Sequence, residues 1–409
     1  MSRGFLFMKF ILFDDINRYN LLPFAHTRAI ADIRCGILTM RERWELYLKE
    51  ITGTLTESYL QGIYPALQGD DKVYINGSVF ANPSLATAIA NLRQGQKLCK
   101  NKITIAARFD KNISGFEEFN QRIQELPSQE YEGEIYSLNH IWDIFSFNDR
   151  VIRDDFALLT KGKQSSPIPA NIIVTGKENL FIEEGANVYA GCIINASAGP
   201  VYIAKGAEVL EGAMLRGPLA LCEQSVVKMG AKLYGATTIG PGCKVGGEIN
   251  NAVLFANSNK AHDGYLGNAV VGEWCNLGAD TNCSNLKNNY DEIKVWDEQA
   301  GKSVNTGLIF CGLFIGDHSK CGINTMFNTG TVVGVSANIF GAGFPDKFIP
   351  SFCWGGIDAV TTYDFGKAMQ TADRMMGRRH KKLSEAETDM YRYIFEHTQS
   401  QRPLPPNDN

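Results

Sequence analysis

From Ile203 an aliphatic residue recurs at every sixth position: Val209, Leu215, Leu221, Val227, Leu233, Ile239 and Val245. A period of six is not helical, but it is a multiple of the two-residue alternation of a strand. Short strands that turn a corner every six residues, each pointing one aliphatic chain inward, satisfy it. Three such sides close a coil, and stacked coils bury a continuous apolar column. Small residues follow many inward positions, as in Leu233-Tyr-Gly-Ala and Ile239-Gly-Pro-Gly, where a sharp corner leaves little room for a Cβ. Further frames run Ile182, Val188, Ile194; then Val271, Leu277, Cys283; then Ile309, Ile315, Cys321, Phe327, Val333, Ile339. Eight in-phase aliphatics argue against an ordinary sandwich with coincidental spacing. The expectation is a parallel β-helix from about Ile182 to Ala342.

A chain of 409 residues exceeds one ordinary core, so several domains are expected. The reading is an α/β domain over 1–160, the β-helix over 161–360, and helices with a disordered tail over 361–409. Apolar content of 44% and charged content of 21% fit a globular protein. A net charge of −4 gives no footprint for nucleic acid or an anionic membrane. The run Arg378-Arg379-His380-Lys381-Lys382 reads as a solvated helix face. Ten cysteines are scattered with no C-x-x-C pair and no zinc spacing, which suits a reduced, cytoplasmic chain. The apolar run Phe5–Phe13 is broken by Lys9 and ended by Asp14-Asp15, with no small-residue cleavage site after it. It reads as a buried first strand rather than a secretory signal. No apolar stretch approaches the ~18 residues of a membrane span.

The regular frames break between Glu248 and Ile309, and the break holds the polar residues. It contains Asn259-Lys-Ala-His262-Asp-Gly-Tyr265-Leu-Gly-Asn-Ala, then Asn276-Leu-Gly-Ala-Asp-Thr-Asn-Cys-Ser-Asn285-Leu-Lys. This stretch resembles the acetyltransferase half of bifunctional sugar-1-phosphate nucleotidyltransferase/acetyltransferases, including the UDP-N-acetylglucosamine pyrophosphorylase/glucosamine-1-phosphate acetyltransferases. Their pattern is lysine, a small residue, histidine, two residues, Tyr-Leu-Gly-Asp-Ala, then Asn-Ile-Gly-Ala-Gly-Thr and a further asparagine. The resemblance implies a left-handed β-helix, a homotrimer with sites between subunits, and acetyl-CoA as cosubstrate. It implies a hexosamine 1-phosphate as acceptor.

Carried over position by position, His262 takes the general-base role, and Asn285 helps orient the amine. Tyr265 and Asn276 contact the sugar phosphate, and Ala279 lies beside the thioester. Lys232 and Lys294 are phosphate-binding candidates. An imidazole titrating near neutral pH can take a proton from an amine as its nitrogen attacks. The chain departs from the pattern at Asn250, where a phosphate-binding lysine is usual. It also departs at Asp280, which replaces a glycine, and at Asp291, where archaeal members carry a lysine. A zinc-hydratase use of the scaffold needs about three converging histidines, and the β-helix offers only His262 and His318. A non-catalytic trimeric scaffold that binds sugar nucleotides is the reading from another class.

The N-terminal segment Ile11-Leu-Phe-Asp-Asp-Ile-Asn-Arg18, Leu22-Pro23, Thr27-Arg28 resembles the opening of sugar nucleotidyltransferases, and implies a Rossmann-like domain. Arg18 falls on the family arginine that meets nucleotide phosphates, and Arg28 replaces a lysine. The glycine-rich phosphate cradle is missing, and Asn76-Gly77-Ser78 stands where a Gly-Asp would hold Mg²⁺. Nucleotidyl transfer, a retained binding role and a structural cap therefore all stay open. Strands are expected near Lys9–Phe13 and Lys72–Ile75, with helices from Pro83-Ser84 and over Glu117–Leu126. In the tail, Phe365, Ala368, Met369, Ala372, Met375 and Met376 form a helical docking stripe. Ser384-Glu-Ala-Glu387 is a capping box opening a second helix, and Gln401–Asn409 is expected to be disordered.

Overall fold

The structure is a computed structural model that describes residues 8–65, 71–110, 113, 115–357 and 359–403. Parts of two expectations, Phe5–Phe7 of the first apolar run and 404–409 of the tail, lie outside the described residues. The chain divides into two compact units. One takes the residues through Leu21 with Thr27–Ile33 and Leu38–His140. The other takes Leu22–His26, Arg34–Ile37 and everything from Ile141.

The first unit is a six-stranded, Rossmann-like mixed sheet. Its strands are β1 (Met8–Phe13), β2 (Thr52–Leu55), β3 (Asp71–Asn76), β4 (Gln96–Lys100), β5 (Ile103–Arg108) and β6 (Ser128–Glu130). The order is β2-β1-β3-β5-β4-β6, with β1 parallel to both neighbours and β5 antiparallel to β3 and β4. Strand β1 reads as unbroken apolar sequence because both its faces are covered. Phe10 and Leu12 pack with Trp44, Leu85 and Ile89, while Ile11 and Phe13 pack with Tyr74, Phe109 and Phe119. Helix Pro83–Ala90 opens with Pro83 in its first turn, and the Asn82 side chain accepts from the Leu85 amide. Helix Phe116–Glu125 buries Phe119 and Ile123.

The second unit is a parallel β-helix of about ten turns, the solenoid of the hexapeptide class. All eight residues from Ile203 to Val245 in steps of six are buried. Fully burying an aliphatic side chain is worth roughly 1.5–3 kcal/mol, so this column is the main stabilising feature of the domain. Three sides are stacked in register. Leu215 lies over Ile194 on the first, Leu221 beside Ile203 on the second, and Val227 beside Val209 on the third. Strands Glu248–Leu254 and Tyr265–Val271 each run through a corner and serve two sides. The coils shorten there, and that shortening is why the six-residue frame fails although the solenoid continues.

One member of the fourth frame was misplaced. Ile309 is 45% exposed, and Leu313 is buried ahead of Ile315 instead. The residues between Cys283 and its neighbour Phe327 carry an antiparallel hairpin, Lys294–Asp297 with Lys302–Asn305, and Ile309 follows it. The helix Asn148–Thr160 packs Ile152 and Phe156 against Phe181 and Tyr202 of the solenoid, together with Ile37. Helix Phe365–Gly377 buries Ala368, Met369, Ala372 and Met376. The capping box at Ser384 and Glu387 opens helix Glu385–His397 as expected.

Candidate functional site

A cavity of about 1070 Å³ opens on the third side of the solenoid, walled on one flank by the end of helix Phe365–Gly377. His262, Asn276 and Ala279 line it. So do Lys228, Lys244, Lys320, Arg374, Arg378 and Arg379, with no carboxylate among the described lining residues. Six such cations facing one cavity create a strongly positive field, because low-dielectric walls focus it.

The Arg378–Lys382 run is therefore not simply a solvated face. Arg379 donates to the Gly242 carbonyl and lies 3.5 Å from Asn259 Oδ1, and Lys381 sits 5.6 Å from the Trp274 ring centre. Burial pushes the Lys320 ammonium down to about 8, although it donates to the His318 carbonyl at 2.7 Å.

His262 sits in the corner between the third and first sides, with its side chain exposed. Lys260, two residues earlier, points into the core, and its Nζ donates to the carbonyls of His262 (2.5 Å) and Asp263 (2.8 Å). Asn276 lies on the strand next in register to Asn259 and shares a 3.4 Å amide contact with it. Asp280, in the place of the usual glycine, has φ +55°. The turn therefore demands the left-handed region, where aspartate is among the better-tolerated residues after glycine.

Tyr265 and Asn285 form a second cluster on the first side. Asn285 Nδ2 donates to Tyr265 Oη at 3.0 Å and to Asn268 Oδ1 at 2.8 Å. Asn250, the residue in place of a lysine, hydrogen-bonds Tyr265 as well. Burial raises the Tyr265 phenol above its usual range. Lys232 begins the same ladder two coils earlier, opposite Glu248, which in turn pairs with Tyr265. At ~4.8 Å per coil that is roughly 10 Å of backbone separation. Lys294 lies exposed on the hairpin, paired with Asn305, and Asp291 precedes it. Within one chain the structure brings His262, Asn276 and Ala279 to one cavity. It groups Tyr265 with Asn285, and leaves Lys232 and Lys294 outside both groups.

The N-terminal candidates are internal. Arg18 is 2% exposed, with Nε 3.4 Å from Asp14 Oδ2 and Nη2 bonded to Tyr59 Oη at 3.3 Å. Asp14 accepts from the Ile30 amide and the Thr56 hydroxyl, and burial raises its pKa to about 6. Arg28 is also buried. The Arg18 guanidinium lies against Asp14, with Glu57 Oε1 3.9 Å from its Nη1. Asp15 does line a cavity of about 570 Å³, with Asn76, Lys102 and Thr104. Asn76 Nδ2 donates to Asp15 Oδ2 at 2.8 Å, while Asn76 Oδ1 accepts from Ser78.

Among the described residues no group of three or more His, Cys, Asp and Glu could hold a metal. Asp15 is the one carboxylate among the described lining residues of its cavity, where the resemblance implies Mg²⁺, and no step is assigned to that ion. Among the described residues no helix is long and apolar enough to cross a membrane. Cys283 and Cys321 are buried in the column, and burial raises both thiols.

The class this defines is a sugar nucleotidyl transferase-type domain joined to a hexapeptide-repeat solenoid, and residues 10–164 match the sugar nucleotidyl transferase family. Over a longer stretch the chain is similar to proteins named as bifunctional sugar-1-phosphate nucleotidylyltransferase/acetyltransferases. It is 28% identical over 350 residues to the bifunctional sugar-1-phosphate nucleotidylyltransferase/acetyltransferase of Sulfurisphaera tokodaii, covering 75% of this chain and 85% of that one. With the bifunctional protein GlmU of Methanococcus maripaludis it shares 30% identity over 220 residues, 54% of this chain and 46% of the relative. The chain thus spans less than half the length of that second relative. A solved UDP-N-acetylglucosamine acyltransferase from Arabidopsis covers 57% of this chain and 91% of its own at 14% identity and TM-score 0.23. That score is too low to add to what the strand pairing shows directly.

Proposed function

We propose that the solenoid transfers an acetyl group from acetyl-CoA to the amine of a hexosamine 1-phosphate. The observation that carries this reading is the carboxylate-free cationic cavity that His262 and Ala279 share with Lys228, Lys244, Arg374 and Arg378. Its charge suits a thioester donor that carries several phosphates. Two exposed imidazoles are among its described lining residues, His262 on the solenoid and His380 after the tail helix, and the first suits a base. In the reaction the His262 ring takes a proton from the acceptor amine as nitrogen bonds to the thioester carbon. Collapse of the tetrahedral intermediate breaks the C–S bond, and the thiolate leaves with that proton. Ala279 leaves room beside the thioester, and Asn276 contacts the acceptor.

The Tyr265–Asn285 pair, with Lys232 and Lys294, lies outside the His262 cavity. In this proposal a homotrimer presents those residues of one copy to the His262 cavity of the next, in the cytoplasm. Loss of thiol release in His262→Ala, measured with acetyl-CoA and a panel of hexosamine 1-phosphates, tests the assignment. A wild-type protein that releases no thiol with any of them refutes it.

For the N-terminal domain the match of residues 10–164 to the sugar nucleotidyl transferase family supports nucleotidyl transfer or a retained nucleotide-binding role.

A further inference from the structure

Along the third side of the solenoid the inward column runs Val188, Val209, Val227, Val245, Lys260, Leu277, Cys321, Ile339, all of them buried. Lys260 is its one charged member, and register sets it directly beside Val245. Its ammonium ends against three backbone oxygens, those of His262 (2.5 Å), Asp263 (2.8 Å) and Gly246 (3.3 Å). An ammonium has three donors, and each has an acceptor here. Burial nevertheless lowers its pKa to about 8, with Asp263 and Asp280 acting in the opposite direction.

The other members of the column are apolar side chains and a thiol, so packing on the third side does not by itself call for an ammonium. What the ammonium holds is the corner that carries His262. The coil from Val245 to Lys260 takes 15 residues in place of 18, and the corner that follows, from Lys260 to Leu266, keeps the ordinary six. Gly264 closes it at φ +106°, where an added Cβ would lie 2.2 Å from the Thr281 carbonyl oxygen. Among the described residues no side chain hydrogen-bonds the His262 ring, and the contact from the core is to its backbone carbonyl.

We propose that Lys260 is the positioning residue for His262. Reaching through the solenoid core, its ammonium fixes the carbonyls of His262 and Asp263 and thereby aims the imidazole into the cationic cavity. The inference rests on the acetyl-transfer reading for its kinetic consequence, but not for its structural one.

Lys260→Met in the full chain tests both. The expected result is a folded protein with kcat lowered by about 10- to 100-fold and KM for acetyl-CoA within about twofold. Amide exchange over 261–265 is expected to be faster than in wild type. Lys260→Gln keeps an N–H donor and is expected to recover part of kcat. A merely structural lysine would instead move KM together with kcat. Wild-type kcat in a folded Lys260→Met overturns the proposal. So does unchanged exchange over 261–265, or failure of both variants to fold. If wild type itself releases no thiol with any acceptor, the acetyl-transfer reading falls, and exchange alone then decides the role of Lys260.

Discussion

Lys260→Met is also expected to change how the solenoid's stability depends on pH. Folding lowers the lysine's pKa from 10.5 to about 8. Between those values the unfolded chain binds more protons than the folded one, so this group makes stability rise with pH across that window. Below about pH 8 the penalty of burying the ammonium is fully present, and by about pH 10.5 it is gone. A 2.5-unit shift corresponds to at most about 3 kcal/mol, of which about 2 kcal/mol is relieved between pH 7 and pH 9.5.

Wild type alone cannot show this, because other buried groups titrate nearby. Lys320 is lowered to about 8 and adds a parallel rise, while Cys243, raised to about 12, opposes it. The difference between wild type and Lys260→Met cancels those contributions. Urea unfolding followed by circular dichroism at pH 7 and pH 9.5 gives that difference. Between pH 7 and pH 9.5 the difference should move by about 2 kcal/mol in favour of wild type. A gap that is the same at both pH values would refute the claim that a charged ammonium is buried in the column.

Two further variants probe the same corner and its cavity. Gly264→Ala places a Cβ 2.2 Å from the Thr281 carbonyl oxygen at φ +106°, so it should destabilise by more than about 1 kcal/mol and lower kcat, read by urea midpoint and thiol release. The double variant Arg374→Ala/Arg378→Ala removes two exposed cavity cations, and KM for acetyl-CoA should rise about tenfold, less so at high salt, with kcat nearly unchanged. A KM unaffected by these losses would detach the tail helix from donor binding.

How far the sequence could be read differs from residue to residue. The run from Ile203 to Val245 was plain because every coil there keeps one length, so a single phase identifies every inward side chain. Lys260 was invisible to that search. The coil before it is three residues short, so it sits off the frame, and a lysine in sequence carries no sign of pointing inward. The Arg378 run looked solvated because charge runs usually are, and the cavity it walls is built from residues more than 50 positions away. Arg18 matched a phosphate-binding position, and that match carried no sign of its ion pair with Asp14, four residues earlier. The acetyltransferase spacing of His262, Tyr265, Asn276 and Asn285 was legible. That it divides between two sides of the solenoid was not, because motif spacing carries no information about corners.

The hairpin between Cys283 and Phe327 leaves the aliphatic column intact, since those two residues pair as ordinary neighbours across it. Each coil touches only the coils above and below, so the inserted residues answer to no register but their own. Doubling such a loop costs only about 0.6 kcal/mol of closure entropy. The segment that carries Lys294 can therefore lengthen, shrink or change composition while the His262 corner stays where it is. In this fold the scaffold and the appendage are free to evolve at different rates.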